Sequence, residues 1–145
     1  MRRPFVATLL IIAMALLFMG MEGLGGSSEK FPMPKLNYKA VVTDMEAVEH
    51  QAHHVSVNGK TSLSGFRGKA SLSVDFRRID RVTISKGDTK TYVYAHVVLR
   101  NGREVDLKVK GLTRCYGVTD LGEMSVRMRD IKSIVFDKTP PEPEE

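Results

Sequence analysis

The segment ASLSVDFRRIDRVTI, residues 70–84, decides the fold of this chain, because its apolar residues first alternate and then step around a corner. Every second residue from Leu72 to Phe76 is apolar, which is the period of a strand with one buried face. The three-residue step from Phe76 to Ile79 predicts a tight corner, and the apolar pair that follows Ile79 predicts a second strand. The segment therefore predicts a strand, a corner and a strand.

The same pattern returns in GEMSVRMRDIKSIVF, residues 122–136, where six apolar residues stand at matching offsets. The pairs are Leu72 with Met124, Val74 with Val126, Phe76 with Met128, Ile79 with Ile131, Val82 with Ile134, and Ile84 with Phe136. Each copy follows an Asn-Gly pair, at Asn58-Gly59 or at Asn101-Gly102. We interpret the match as an internal duplication, with copies at residues 55–84 and 97–136, that builds the domain from two similar halves. The alternative is that two amphipathic strand pairs share these offsets by chance.

Turn signals separate short runs of β-forming residues along most of the chain, between Tyr38 and Phe136. Runs of Val, Ile, Thr, Tyr and Phe that are broken by Gly, Asn and Asp are typical of antiparallel strands. The two Asn-Gly pairs predict type I′ turns between neighbouring strands, since both residues tolerate a positive φ. We predict an all-β domain over residues 36–137, a small antiparallel sandwich or barrel-like fold, preceded by a hydrophobic export helix.

One segment of this domain, residues 44–54, fits two kinds of secondary structure. Thr43 and Glu46 have the spacing of a helix capping box, and apolar residues recur behind them at helical intervals. The β-forming runs on either side leave little room for a helix, however. We predict a turn over residues 44–47, followed by a strand that runs into Val57.

Residues 1–25 have the composition of an export signal. Arg2 and Arg3 precede an uncharged apolar run over residues 5–21, as the basic and apolar regions of a signal peptide do. A cut before Gly26 would release the mature chain. The alternative is an uncleaved membrane anchor, because the run would form a helix of about 25 Å, a little short of the hydrocarbon core of a bilayer. In both cases the domain is exported across the inner membrane, into the periplasm or the extracellular space.

Charge is divided unevenly between the body of the chain and its end. Residues 26–136 hold 19 Lys and Arg against 12 Asp and Glu, whereas residues 137–145 hold four acids and one lysine. We interpret residues 26–35 as a linker and residues 138–145, rich in Pro and Glu, as a disordered acidic tail. A basic body favours partners such as polysaccharide, lipid head groups or other envelope proteins. Nucleic acid is not an expected partner, because an exported protein rarely meets it.

No catalytic arrangement stands out in the sequence. Serine and threonine are frequent, but none lies in a G-x-S-x-G elbow or an S-x-x-K motif. The only cysteine, Cys115, cannot form an intramolecular disulfide, and we predict that it is buried and inert. We therefore predict a protein that is not an enzyme and that holds no cofactor.

Three histidines, His50, His53 and His54, form the only group with metal-ligand chemistry, since imidazoles bind zinc and copper. On a strand His50 and His54 would point to one face about 13 Å apart, too far to share an ion, and His53 would face the other side. On a helix His50 and His54 would stand one turn apart and could chelate a metal. Metal binding by this cluster is therefore the alternative function.

Basic residues crowd both predicted corners. The first basic corner is defined by Arg77, Arg78 and Arg81, and the second basic corner by Arg127, Arg129 and Lys132. If the two halves are related, these side chains form two equivalent surfaces for an anionic partner or a membrane surface. The alternative is that they form salt bridges with Asp75, Asp80 and Asp130. Together with the export segment, the two corners predict a non-catalytic binding or structural module of the cell envelope.

Overall fold

Between residues 30 and 139, ten antiparallel strands form one sheet that curls into a half-barrel. The strands are β1 (Ala40–Asp44), β2 (Glu49–Val57), β3 (Ser62–Arg67), β4 (Ala70–Asp75), β5 (Ile79–Lys86), β6 (Tyr92–Leu99), β7 (Glu104–Lys110), β8 (Arg114–Thr119), β9 (Gly122–Arg127) and β10 (Ile131–Phe136). A short 3-10 turn follows β4 at Phe76–Arg78, and another follows β9 at Met128–Asp130. These turns are the two corners expected from the sequence. The predicted all-β class is confirmed.

The structure, a computed structural model, describes residues 30–139 and residue 141. The predicted export segment, residues 1–25, lies outside the described residues, as does most of the predicted acidic tail, residues 138–145. Within the part of the chain that is described, no helix is long and apolar enough to cross a membrane.

The start of the described chain packs against the sheet. Residues 31–35, which belong to the predicted linker, form part of the same compact unit as the strands. The ring of Phe31 meets the ring of Tyr116 edge-on, with the ring centroids 5.6 Å apart. The side-chain oxygen of Asn37 accepts a 2.9 Å hydrogen bond from the backbone N–H of His54. The chain therefore enters the fold alongside β8 and β2.

The order of the strands in the sheet is β4-β3-β7-β6-β5-β10-β1-β2-β8-β9. When β1–β5 are matched one by one with β6–β10, this order reads the same from both ends. β5 and β10 lie side by side at the centre, and each side of the sheet combines strands from both parts of the chain. The matched parts span residues 40–86 and 92–136, which is wider than the predicted copies at residues 55–84 and 97–136.

β3 and β4 have the same lengths as their matches β8 and β9, and β5 and β10 begin at matching positions. Residues 62–84 align with residues 114–136 without a gap, at a constant offset of 52 (114 minus 62). Gly65 and Gly117 form one aligned pair, and both are buried where a neighbouring strand approaches closely. The two parts therefore share the same glycine at the same crossing of strands.

The two Asn-Gly pairs are not equivalent, contrary to the match made from the sequence. Asn58 and Gly59 have φ angles of 52° and 79°, as a type I′ turn requires. A single bridge closes this turn, after which β2 pairs with β8 and β3 pairs with β4 and β7. The pair Asn101-Gly102 joins the neighbouring strands β6 and β7, but only Gly102 has a positive φ, so this turn is not of type I′.

One face of the sheet carries the core. Alternate residues of β6 are buried, as the two-residue period of a strand predicts. The bulkiest cluster lies beside the first corner, where the ring of Phe76 packs 4.7 Å from that of Phe136 and 5.5 Å from that of Tyr38. At the second corner the equivalent residue is Met128, which is fully buried. Each corner is thus anchored by one large apolar side chain.

Residues 44–54 form a turn and then a strand, as predicted. A carboxylate oxygen of Asp44 closes the turn by accepting hydrogen bonds from the backbone N–H groups of Glu46 and Val48. Ala47 has a φ of +63°, which no residue of a right-handed helix adopts. The helical interpretation of the capping-box spacing is therefore wrong, because Asp44 caps a turn here rather than a helix.

Cys115 is fully buried in the core, as the sequence predicts. Burial raises the pKa of its thiol to about 12, because the thiolate would lose its hydration. Since only the thiolate reacts, we expect no alkylation of the native protein by iodoacetamide at neutral pH and rapid alkylation once urea unfolds the chain. Mass spectrometry of both samples checks this expectation. Equal labelling of the folded and unfolded protein would contradict the burial.

Candidate functional site

The first basic corner is held in place by hydrogen bonds. Asp75 caps the 3-10 turn by accepting a 2.8 Å hydrogen bond from the backbone N–H of Arg77. Arg100, in the turn between β6 and β7, donates its backbone N–H to the carbonyl oxygen of Arg78 at 2.8 Å. Its side chain donates to the carbonyl oxygen of Arg77 at 3.0 Å. The backbone of the corner is therefore fixed, while Arg77, Arg78 and Arg81 themselves are exposed.

The second basic corner is held in an equivalent way. Met45, in the turn between β1 and β2, donates its backbone N–H to the carbonyl oxygen of Asp130 at 2.8 Å. This bond is the counterpart of the one that the turn between β6 and β7 makes at the first corner. Arg129 and Lys132 are exposed, and Arg127 is partly buried.

A cavity of about 600 Å³ opens beside the second corner. Its charged lining residues are Lys86, Lys90, Arg129, Asp88 and Asp130. Asp88 is engaged within the fold, because it accepts a 2.8 Å hydrogen bond from the hydroxyl of Tyr94. Lys86 and Lys90 therefore lie beside Arg129 of the second corner in this cavity.

The two basic corners lie at opposite ends of the central strand pair. Each corner directly precedes one of the antiparallel strands β5 and β10. The chain therefore enters these two strands at opposite ends of the pair. Because Val82 pairs with Ile134, the two strand starts lie about 20 Å apart along the pair. The corners are thus two separate surfaces and do not merge into one.

The cations of both corners have no carboxylate partner among the described residues. Every ion pair found between residues 30 and 139 involves a histidine. Asp75 instead accepts hydrogen bonds from the hydroxyl of Tyr38, at 3.3 Å, and from the backbone of Arg77. The salt bridges that were the alternative interpretation of the basic corners are not formed within this part of the chain. Their positive charge is available to an anionic partner.

The three histidines of the predicted metal cluster have different surroundings. The ring of His50 lies 3.0 Å from a carboxylate oxygen of Asp44, and this hydrogen bond holds the pKa of Asp44 below its ordinary value. His53 and His54 stand together at an irregularity of β2, with ring centroids 5.2 Å apart, where His54 has a φ of +50°. No three His, Cys, Asp or Glu side chains of the described chain are close enough to hold one metal ion.

A cavity of about 650 Å³ crosses β10, β1 and β2. Val41, at its centre, is the cross-strand neighbour of Val135 on one side and of Gln51 on the other. The cavity is open and carries one charge of each sign, Lys39 and Asp137. It therefore offers no convergent set of polar groups for a particular ligand.

A charged cluster on β6 and β7 was not predicted from the sequence. One ring nitrogen of His96 lies 2.6 Å from the carboxylate of Asp106, and the other lies 3.7 Å from that of Glu104. The signal was present in the Asn101-Gly102 pair, because counting outward from this turn places His96 opposite Asp106. The arrangement suits a protonated imidazole, in which both ring nitrogens are donors.

Asp106 is expected to control the titration of His96. The hydrogen bond from Asp106 raises the pKa of His96 above its ordinary value of about 6.5, against an opposing effect of partial burial. Protonation of His96 therefore stabilises the folded state at pH values below the ordinary pKa of histidine. This contribution is lost as the pH rises through the pKa of His96 in the folded state. We expect Asp106→Asn to lower the pKa of His96 in an NMR titration, with Asp120→Asn, at an exposed site elsewhere, as the control. An unchanged pKa would contradict the assignment.

The fold and the candidate site define a small all-β protein with two fixed, exposed basic corners. The chain belongs to a family described as "Uncharacterised protein", whose model matches residues 34–139. No curated protein and no solved structure matches the chain. The matched residues include all ten strands and both corners.

Proposed function

We propose that this protein is exported and acts as a non-catalytic binding or structural module of the cell envelope. Its partners are envelope proteins, polysaccharide or lipid head groups, and it contacts them through the two basic corners. Export is supported by residues 1–25, whose two arginines and apolar run have the order of a signal peptide. If the segment is not cleaved, residues 5–21 anchor the protein in the inner membrane.

The observation that carries the binding proposal is the state of the corner cations. Both corners are fixed through backbone hydrogen bonds, and their side chains carry positive charge without a carboxylate partner among the described residues. A positive surface whose backbone is already fixed attracts anionic partners.

We also infer that the domain arose by internal duplication. The constant offset between residues 62–84 and 114–136, and the matched order of the strands, support this inference. Duplication would place the same corner at both ends of the central strand pair. An extended anionic partner, such as a polysaccharide chain, could then contact both corners at once and bind more tightly than either corner allows alone.

Mass spectrometry of the N-terminal peptide tests the proposal that the protein is exported. We expect the protein recovered from cells that produce the full chain to begin at or near Gly26 and to fractionate outside the cytoplasm. A chain that starts at Met1 but stays with the inner membrane would support the uncleaved anchor. An intact chain found only in the cytoplasm would contradict export.

Metal binding by His50, His53 and His54 stays the alternative function. Titration of zinc into the mature protein, followed by calorimetry, separates it from the proposal above. Heat of binding and a higher melting temperature, both lost when the three histidines are replaced by alanine, would support a metal site. Equal heats for the variant and the parent protein would remove these residues as ligands.

A further inference from the structure

We use the word seam for the line of contact between β2 and β8 and for its equivalent between β3 and β7. The two seams differ in the number of residue pairs that join their strands. The seam between β2 and β8 is bridged at three positions, the last at Val57 and Cys115. The equivalent seam between β3 and β7 is bridged at one position, where Phe66 pairs with Lys108. A cavity of about 270 Å³, which we call the seam groove, lies along this seam beside the turn between β2 and β3.

The seam groove is lined by basic and hydroxyl-bearing side chains. Its basic residues are Lys60, Lys108 and Lys110. Its uncharged polar residues are Asn58, Ser62, Ser64, Ser71 and Thr113. No aspartate or glutamate is among the lining residues that the structure describes. The groove therefore combines three positive charges with several groups that both donate and accept hydrogen bonds.

The lysines of the seam groove keep their charge available. None of the three forms an ion pair with another residue between 30 and 139. The ammonium group of Lys108 lies 4.5 Å from the centroid of the Tyr92 ring on β6, a residue outside the groove lining, so the available charge of the groove rests on Lys60 and Lys110. Positive charges that converge on a partly enclosed cavity raise the local concentration of anions.

The other residues of the groove select for a sugar rather than for a bare ion. Hydroxyl and amide groups pair with the hydroxyls of a saccharide, and the ring of Phe66, 40% exposed, offers an apolar surface to the face of a sugar ring. We propose that the seam groove binds a saccharide unit that carries a carboxylate or a phosphate. This proposal rests on the proposed binding function and names the ligand class of one site.

The equivalent position on the other side of the sheet is covered by the chain itself. Tyr116 is the counterpart of Ser64, and the ring of Phe31 packs edge-on against it. The seam groove is thus the open one of two related surfaces, and we expect one saccharide per chain.

An NMR titration of the isotope-labelled mature protein tests the proposal. The probes are tetragalacturonate, neutral maltotetraose, inorganic phosphate and phosphatidylcholine vesicles that contain phosphatidylglycerol. We expect saturable shifts of the Ser64, Gly65 and Lys110 amides with tetragalacturonate, at one site per chain, and none with maltotetraose. Phosphate is expected to shift the same amides at higher concentration. Stronger binding to the vesicles than to the oligosaccharide would overturn the assignment to a sugar.

Matched charge variants separate this groove from general attraction to a basic protein. Combined Lys60→Gln and Lys110→Gln should weaken tetragalacturonate binding at least tenfold. Combined Lys35→Gln and Lys39→Gln, at exposed positions outside the groove and both basic corners, should leave it within twofold. Equal losses in the two variants would overturn the proposal, as would a missing shift in the parent protein. Spectra without ligand show that each variant is folded.

The seam groove and the proposed envelope function can fail independently. If the protein binds isolated envelopes through its basic corners, and the Lys60 and Lys110 variant binds no probe differently from the parent, only the groove is wrong. If the oligosaccharide binds the groove but the protein is found in the cytoplasm, the site stands and the envelope function is wrong.

Discussion

Replacement of Phe76 by alanine is expected to lower the free energy of unfolding by about 3 to 5 kcal/mol. Phe76 is 1% exposed and is the central ring of three, with the centroids of Phe136 and Tyr38 at 4.7 and 5.5 Å. Truncation would leave a cavity beneath the first corner, and rigid strands on both sides would limit its collapse. Urea unfolding followed by circular dichroism measures the loss.

Two further substitutions serve as comparisons for Phe76→Ala. Met128→Ala, at the equivalent position of the second corner, should cost about 2 to 5 kcal/mol, since Met128 is also fully buried. Leu121→Ala should change the stability by less than about 0.5 kcal/mol, because Leu121 is 94% exposed. A loss below that level for Phe76→Ala would show that the aromatic cluster does not hold the corner.

Replacement of Gly117 by valine is expected to be the second large effect, a loss of about 2 to 3 kcal/mol or failure to fold. A Cβ on Gly117 would lie 2.9 Å from the Cβ of Ala52, closer than real Cβ atoms come to one another. The neighbouring strand β2 would have to move to relieve this clash. The melting temperature of the variant measures the effect.

Gly65→Val provides the matched test on the other side of the sheet. A Cβ on Gly65 would lie 2.9 Å from the carbonyl oxygen of Lys108, so a loss similar to that for Gly117→Val is expected. Ser85→Val, on an exposed position of β5, is the control and should stay within about 0.5 kcal/mol of the parent. If both glycine variants have the melting temperature of the parent protein, the strands do not approach each other closely at Gly65 and Gly117.

Local sequence patterns were sufficient for the strands and the corners. The alternation and the three-residue step in residues 70–84 become β4, the first 3-10 turn and β5, because period-two burial and a tight turn depend on neighbouring residues alone. The order of the strands could not be read in this way. β3 pairs with β7 and β5 with β10, and such pairings depend on long-range packing that no local pattern encodes.

The candidate sites, too, could be predicted only in part from the sequence. The arginines of the two corners could be named from the sequence, because they follow directly from the turns that present them. The absence of salt bridges from these cations to Asp75, Asp80 and Asp130 within residues 30–139 could not be predicted, since it depends on where side chains from other strands lie. The seam groove was also not predicted, because Lys60 and Lys110 come to line one cavity only through the long-range pairing of β3 with β7.

Binding of the mature protein to isolated cell envelopes tests the central claim most directly. One variant replaces the six basic residues of the two corners with glutamine, at Arg77, Arg78, Arg81, Arg127, Arg129 and Lys132. The control variant makes the same change of charge at six exposed positions elsewhere, at Lys35, Lys39, Arg67, Lys69, Arg103 and Lys138. We expect sedimentation with envelopes to fall at least tenfold for the corner variant, to weaken with added salt for the parent, and to stay near the parent level for the control. Equal binding by the corner variant and the parent protein would contradict the claim.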